Sequence, residues 1–144
     1  LQITSMTEKD VPLVAALERQ CFSQPWSAQV LEAELQNPNA IFYVARKEGL
    51  LAGYVGMHRV MDEGYIANIA VDEAFRRQGV AKTLMQALLT FAKEKRLGFL
   101  TLEVRAGNRP AIQLYEGLGF GEVGRRKNFY ANPTEDAILM TRFL

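Results

Sequence analysis

The chain holds one cysteine, Cys21, and one histidine, His58. A lone cysteine excludes an internal disulfide and any zinc site built from several thiolates. It fits a reducing compartment, so a cytoplasmic location is expected. With one histidine, no metal centre is expected either. Charge of one sign is also missing, since 17 Lys plus Arg stand against 16 Asp plus Glu, a net of +1. That balance argues against a bulk polycation working on nucleic acid or a membrane surface. The longest apolar run, Ala40 to Ala45, falls far short of the roughly 20 residues of a spanning helix. No linker, low-complexity tract, internal repeat or secretory leader is visible. What is present is 144 residues, 49% of them hydrophobic, which is enough for one core and excludes a disordered chain. Residues 1–144 therefore read as a single domain.

The periodicity predicts a strand at Gln2–Met6 and a helix from Asp10 to Phe22, with Val11, Val14, Ala15, Leu17 and Cys21 at helical spacing. Pro25-Trp26-Ser27 interrupts, and Ser27 caps a second helix that runs to about Gln36. Strands are expected at Ala40–Arg46, Leu50–Val60 and Tyr65–Val71, joined by turns at Glu48-Gly49 and Asp62-Glu63-Gly64. Val80, Ala81, Leu84, Leu88 and Phe91 mark a long amphipathic helix from Val80 to Lys95, closed by Gly98. A strand at Phe99–Arg105 follows, then a helix capped by Asn108 with Pro110 in its first turn, then strands at Phe120–Asn128 and Ala137–Leu144. Hairpins followed by a strand–helix–strand unit imply an α/β fold, a mixed sheet with helices on its faces.

The segment Arg76-Arg77-Gln78-Gly79-Val80-Ala81-Lys82 joins a strand to the long helix. Free N–H groups at a helix start, the helix dipole and three cations make an anion site suited to a pyrophosphate. A helix start with a glycine and solvated basic residues is an equal reading of the same residues. A Walker A loop ending at Lys82-Thr83 would need glycines where Arg76 and Ala81 stand. Gly117-Leu118-Gly119 follows a helix and reads as its C-cap, not as a dinucleotide fingerprint.

Alternation in Phe99–Arg105 puts Leu100, Leu102 and Val104 on one face and Phe99, Thr101, Glu103 and Arg105 on the other. Glutamate is a poor strand residue, so Glu103 is either on a solvated face or kept for chemistry. Arg105 can simply pair with an acid. Tyr115 lies seven residues past Asn108, about 10 Å up the next helix, as core packing or as a phenol at the rim.

Arg76-x-x-Gly79-x-Ala81 resembles the acyl-CoA signature of the GNAT family of N-acetyltransferases, Gln/Arg-x-x-Gly-x-Gly/Ala. Leu102-Glu103-Val104-Arg105, Asn108, Ala111-Ile112-x-Leu114-Tyr115-Glu116-x-Leu118-Gly119-Phe120, Pro25-Trp26-Ser27, Asn68-Ile69-Ala70-Val71, Arg125-Arg126-x-x-x-Tyr130 and Glu135-Asp136-Ala137-Ile138-x-Met140 are similar to bacterial ribosomal-protein-alanine N-acetyltransferases. The resemblance covers nearly the whole chain; only Ala28 to Asn39 shows no match, and Lys127 to Pro133 matches in part.

The resemblance implies a mostly antiparallel sheet with one splayed strand pair, and acetyl-CoA as co-substrate. The coenzyme would lie on Ile69, Ala70 and Val71 and on the loop Arg76, Arg77, Gln78, Gly79, Val80, Ala81 and Lys82, with Asn108 touching it. Glu103 would accept the proton and Tyr115 would donate one. The implied acceptor is the N-terminal alanine of a small-subunit ribosomal protein. Another amine (other N-termini, a lysine, a polyamine or a small molecule) or a regulator that binds acyl-CoA without turnover are the alternatives. No direct nucleic-acid or membrane partner is required. Trp26 belongs to the core or to a wall of the acceptor groove, and Tyr65 and Tyr130 line that groove. His58 reads as a packed or edge residue, and Arg125-Arg126-Lys127 as a solvated strand face.

Overall fold

Caps and turn residues set where each element begins and ends in the computed structural model, which describes residues 1–144. In chain order the elements are β1 (Gln2–Ser5), α1 (Val11–Cys21), α2 (Ala28–Leu35), β2 (Ala40–Lys47), β3 (Leu50–Val60), β4 (Glu63–Val71), α3 (Val80–Glu94), β5 (Phe99–Arg105), α4 (Arg109–Gly117), β6 (Gly121–Tyr130) and β7 (Glu135–Phe143). The Ser27 hydroxyl accepts from Val30 N (3.2 Å) to start α2, and Asn108 Oδ1 accepts from Ala111 N (3.3 Å) to start α4.

The expected order holds, with shifted boundaries and two added 3₁₀ turns, Glu8–Asp10 and Glu73–Phe75. β4 starts at Glu63, so the turn before it is Met61-Asp62, with Met61 in the left-handed region. Gly64 lies inside the strand because Leu100 and Met57 pack where a side chain would stand. Arg96, not Gly98, takes the left-handed position after α3.

The seven strands form one sheet in the order β1-β2-β3-β4-β5-β7-β6. Every neighbour pair is antiparallel except β4–β5. Alternation along β2 and β3 sends Phe42, Val44 and Tyr54 to one face, where they pack with Val11, Val14, Leu17 and Leu31 of α1 and α2. Ala45, Val55 and Met57 point to the other face, against Val80, Leu84, Met85, Leu88, Leu89 and Ala92 of α3. Leu100, Leu102 and Val104 join this second cluster with Tyr115 of α4, as the alternation predicts. Burying each such leucine contributes roughly 1.5–3 kcal/mol, so α3 is held by its apolar stripe.

The parallel contact positions the site. β4 and β5 pair only at Glu63↔Phe99, Gly64↔Leu100 and Tyr65↔Thr101. Just beyond, β4 carries a bulge at Ala67, where the β3 register passes from Met57↔Ile66 to Gly56↔Asn68. A bulge adds local twist and bends its strand. β5 meanwhile keeps its pairing with β7 as far as Arg105↔Ala137. The two strands diverge, as the family resemblance implies, and the inner edge of β4 from Ile66 to Val71 has no strand beside it. No helix is long and apolar enough to cross a membrane.

Candidate active site

The divergence of β4 and β5 opens a cleft of about 820 Å³. Its walls include Trp26, Tyr65, Ile69, Glu103, Asn108, Tyr115 and Tyr130, seven positions expected from the sequence. Ala70, Val71 and the loop Arg76–Lys82 are not among its walls; they continue from β4 toward α3.

That loop has the chemistry of an anion cradle. The N–H groups of Arg77, Gln78, Gly79, Val80, Ala81 and Lys82 donate to no atom of the protein. The first amide to bond is that of Thr83, which returns to Gly79 O at 3.0 Å. The chain turns left-handed at Arg77 (φ 62°) and Gly79 (φ 76°), a pattern that gathers N–H groups into a concavity. A Cβ on Gly79 would meet nothing within 4 Å, so glycine is required there for its backbone angle rather than for room inside the protein. Arg76, Arg77 and Lys82 are exposed, and none is ion-paired. Arg76 Nη2 lies 3.9 Å from Cys21 Sγ, and Lys47 Nζ donates to Gln78 Oε1 at 2.6 Å. Six unpaired donors, a helix N-terminus and three free cations fit a diphosphate.

Glu103 and Tyr115 reach the cleft from opposite sides of the sheet. Glu103 lies in the middle of β5 on the face away from Leu102 and Val104. Its carboxylate accepts no hydrogen bond from the protein, is 32% exposed, and has Oε1 3.9 Å from Arg126 Nε. Tyr115 rises from α4 on the other face and packs on Phe120 at 6.1 Å between ring centroids. Only 5% of it is exposed, yet no buried side-chain oxygen lacks a partner, so its unbonded hydroxyl opens on the cleft. Burial, and then the nearby Tyr130, push the Tyr115 phenol up to about 12. Tyr130 is also pushed up to about 12, by burial and by Glu103, against the pull of Arg105.

The wall of the cleft around Tyr130 is tied together by polar knots. Arg105 Nη1 donates to Pro133 O (2.9 Å) and to Glu135 Oε1 (3.2 Å), and Nη2 donates to Ala131 O (3.1 Å). Its guanidinium lies 4.5 Å from the Tyr130 ring centroid. The expectation that Arg105 pairs with an acid therefore holds, and the same side chain anchors the β6–β7 hairpin. Trp26 packs on Phe42 at 6.1 Å and also lines the cleft. Tyr65 is 40% exposed and donates to Glu63 Oε2 at 2.6 Å. His58 packs on Phe42 and pairs with Glu34 of α2. Arg125, Arg126 and Lys127 are all exposed, as expected.

Sequence reasoning missed Glu18. It is fully buried and accepts hydrogen bonds from Trp26 N (2.8 Å), the Tyr54 hydroxyl (2.5 Å) and Asn68 Nδ2 (3.0 Å). Burial pushes its carboxyl pKa up, and the three donors act against that. A signal existed: Glu18 falls four residues after Val14 and three after Ala15, on the apolar stripe of α1, where a carboxylate has to be paired. Asn68 and Phe129 also line the cleft and had no assigned role, and Arg126, expected on a solvated face, lines it too.

The acetyltransferase (GNAT) family model matches residues 11–120, and the chain belongs to that family. A Bacillus subtilis (strain 168) protein, named provisionally as a [ribosomal protein bS18]-alanine N-acetyltransferase, is 39% identical over 96% of this chain and 92% of its own length. The crystal structure of the ribosomal-protein-S18-alanine N-acetyltransferase from Escherichia coli superposes with a TM-score of 0.91 at 33% identity, covering 99% of this chain and 92% of that one. Arabidopsis thaliana NAA60, solved in complex with acetyl-CoA, shares the fold with a TM-score of 0.89 at 21% identity, covering 99% of each chain. The protein is thus an acyltransferase enzyme of the acetyl-transferring kind.

Proposed function

We propose that the enzyme transfers the acetyl group of acetyl-CoA directly to the α-amine of a protein N-terminus, with the N-terminal alanine of a small-subunit ribosomal protein as acceptor. One observation carries this reading. A carboxylate and a phenol line one cleft between two diverging strands, and the strand that forms one wall of it leads on to a cradle of six free N–H groups.

Arg77 to Lys82 hold the diphosphate of the coenzyme, and the free edge of β4 receives its amide arm as an added strand would be received. The Asp72 N–H returns to Ala52 O (2.8 Å), so strand alternation turns the Ile69 and Val71 N–H groups into the gap. These donors suit the oxygen that gains charge when the thioester is attacked. Acetyl-CoA supplies the activated acetyl group, and the remaining work belongs to side chains. An α-amine titrates near about 7.7–8 and is roughly one-tenth neutral at pH 7, whereas a lysine near about 10.4 is neutral at well under about a tenth of a percent. An N-terminus therefore needs only modest help, which Glu103 gives by taking the proton as attack proceeds. The Tyr115 phenol at about 12 is a weaker acid than a free one and lies roughly 3.5 units above a thiol near about 8.5. It stabilises the departing sulfur first as a hydrogen-bond donor and passes its proton late. Transfer is direct: burial pushes the Cys21 thiol up, away from the nucleophilic thiolate.

Thiol release from acetyl-CoA with a panel of amines tests the proposal. Release with peptides that begin in alanine, far above that with lysine side chains, polyamines or other N-termini, is the expected outcome. Equal release with other amines moves the acceptor assignment, and binding without release makes the chain a sensor.

A further inference from the structure

Glu18 has no exposed surface, and no cation pairs with it. Its three partners come from three other parts of the fold: the α1–α2 connection, β3 and β4. Two of them, Trp26 and Asn68, line the acetyl-transfer cleft, while Glu18 does not. The acid is therefore placed behind the wall of the cleft, and its effect on the site passes through Asn68 and Trp26.

A carboxylate offers only acceptors. The Asn68 amide must then turn its NH₂ inward to Glu18, where Nδ2 lies at 3.0 Å, and its carbonyl Oδ1 outward. No buried side-chain oxygen lacks a partner, and Oδ1 has none in the protein, so it is open to the cleft. Asn68 pairs with Gly56 of β3, which by alternation shares its face with Tyr54, on the α1–α2 side of the sheet. Glu103 projects from that same face, away from Leu102 and Val104. A neutral primary amine carries two N–H bonds, and only one can be aimed at the base.

We infer that Asn68 Oδ1 receives the second N–H of the acceptor amine, and that Glu18 is the positioning residue that keeps this amide in the receiving orientation. The inference rests on the proposed N-acetyl transfer to a primary amine. It adds the group that orients the amine before attack, on the arm of the cleft opposite the base. Glu18 also satisfies the Trp26 N–H and the Tyr54 hydroxyl, but only its bond to Asn68 fixes which amide atom faces the cleft.

Steady-state kinetics on the whole chain, with an alanine-initiated peptide and acetyl-CoA each varied, tests the inference. In Glu18→Gln the new amide can donate to Oδ1, which frees Asn68 to turn its NH₂ into the cleft. The peptide KM should rise about tenfold, the equivalent of one hydrogen bond, with the acetyl-CoA KM within about twofold of wild type. Asn68→Ala should do the same. In the double variant Glu18→Gln/Asn68→Asp, the glutamine donates to the new carboxylate and an oxygen again faces the cleft. Its peptide KM should return to within about threefold of wild type, a rescue that a purely structural knot does not predict. An unchanged peptide KM in both single variants, a parallel rise in both KM values, or no rescue in a double variant that melts like wild type overturns the inference. Where Glu18→Gln does not fold, Asn68→Ala decides alone. A wild-type protein that releases no thiol with any amine overturns the proposed function, and this inference with it. Wild-type turnover with unaltered variants overturns the inference only.

Discussion

The loop before α3 and the cleft between β4 and β5, proposed to take the coenzyme and the acceptor, are built from different chemistry. At the first, main-chain N–H groups of residues 77 to 82 are left free, and only Gly79 is demanded by its backbone angle. At the second, the residues that face the cleft are side chains set against other side chains: Glu103 near Arg126, Tyr130 under Arg105, Asn68 against Glu18. A main-chain grip suits a ligand that never changes. A side-chain wall suits a ligand whose identity selection has to choose.

The sharpest way to break this contrast is at Glu103, the proposed base. Glu103→Gln should lower kcat by about 100- to 1,000-fold, the usual scale for a lost general base, while calorimetry shows unchanged acetyl-CoA affinity. Turnover near wild type would leave the acceptor end with no chemistry of its own. At the other end, Gly79→Val forces a β-branched residue to φ 76° and should raise the acetyl-CoA KM by about tenfold or more without moving the peptide KM. Wild-type coenzyme affinity in that variant would dismiss the cradle.

The smallest effect concerns pH. With the phenols of Tyr115 and Tyr130 both pushed up to about 12, kcat/KM should climb as the α-amine deprotonates and then stay flat through about pH 10. The folded protein favours each neutral phenol. Their contribution to stability is therefore complete below the free phenol value near about 10 and is lost as pH rises through 12. A fall in rate between about pH 9 and 10 would mean that the Tyr115 phenol is wetter than its 5% exposure implies.

Local patterns carried most of the fold. Alternation separated Leu102 and Val104 from Glu103, and the stripe from Val80 to Phe91 marked α3, because both depend on spacing along one element. The motif positions Glu103, Tyr115 and Asn108 also arrived in one cleft. The knots did not show, because each joins residues far apart in the chain. Glu18 meets Asn68 across 50 positions, and Arg105 meets Pro133 across 28. The left-handed angle of Gly79 did not show either, because only φ reveals it.

Arg105 stands two residues from Glu103 on the same face of β5, and from there it fastens the hairpin at Ala131, Pro133 and Glu135. The Tyr130 wall of the cleft is thereby dimensioned from the very strand that bears Glu103. Should the hairpin drift, the strand's own guanidinium drifts with it, so the width of the cleft is gauged against the Glu103 carboxylate instead of against the distant body of the molecule.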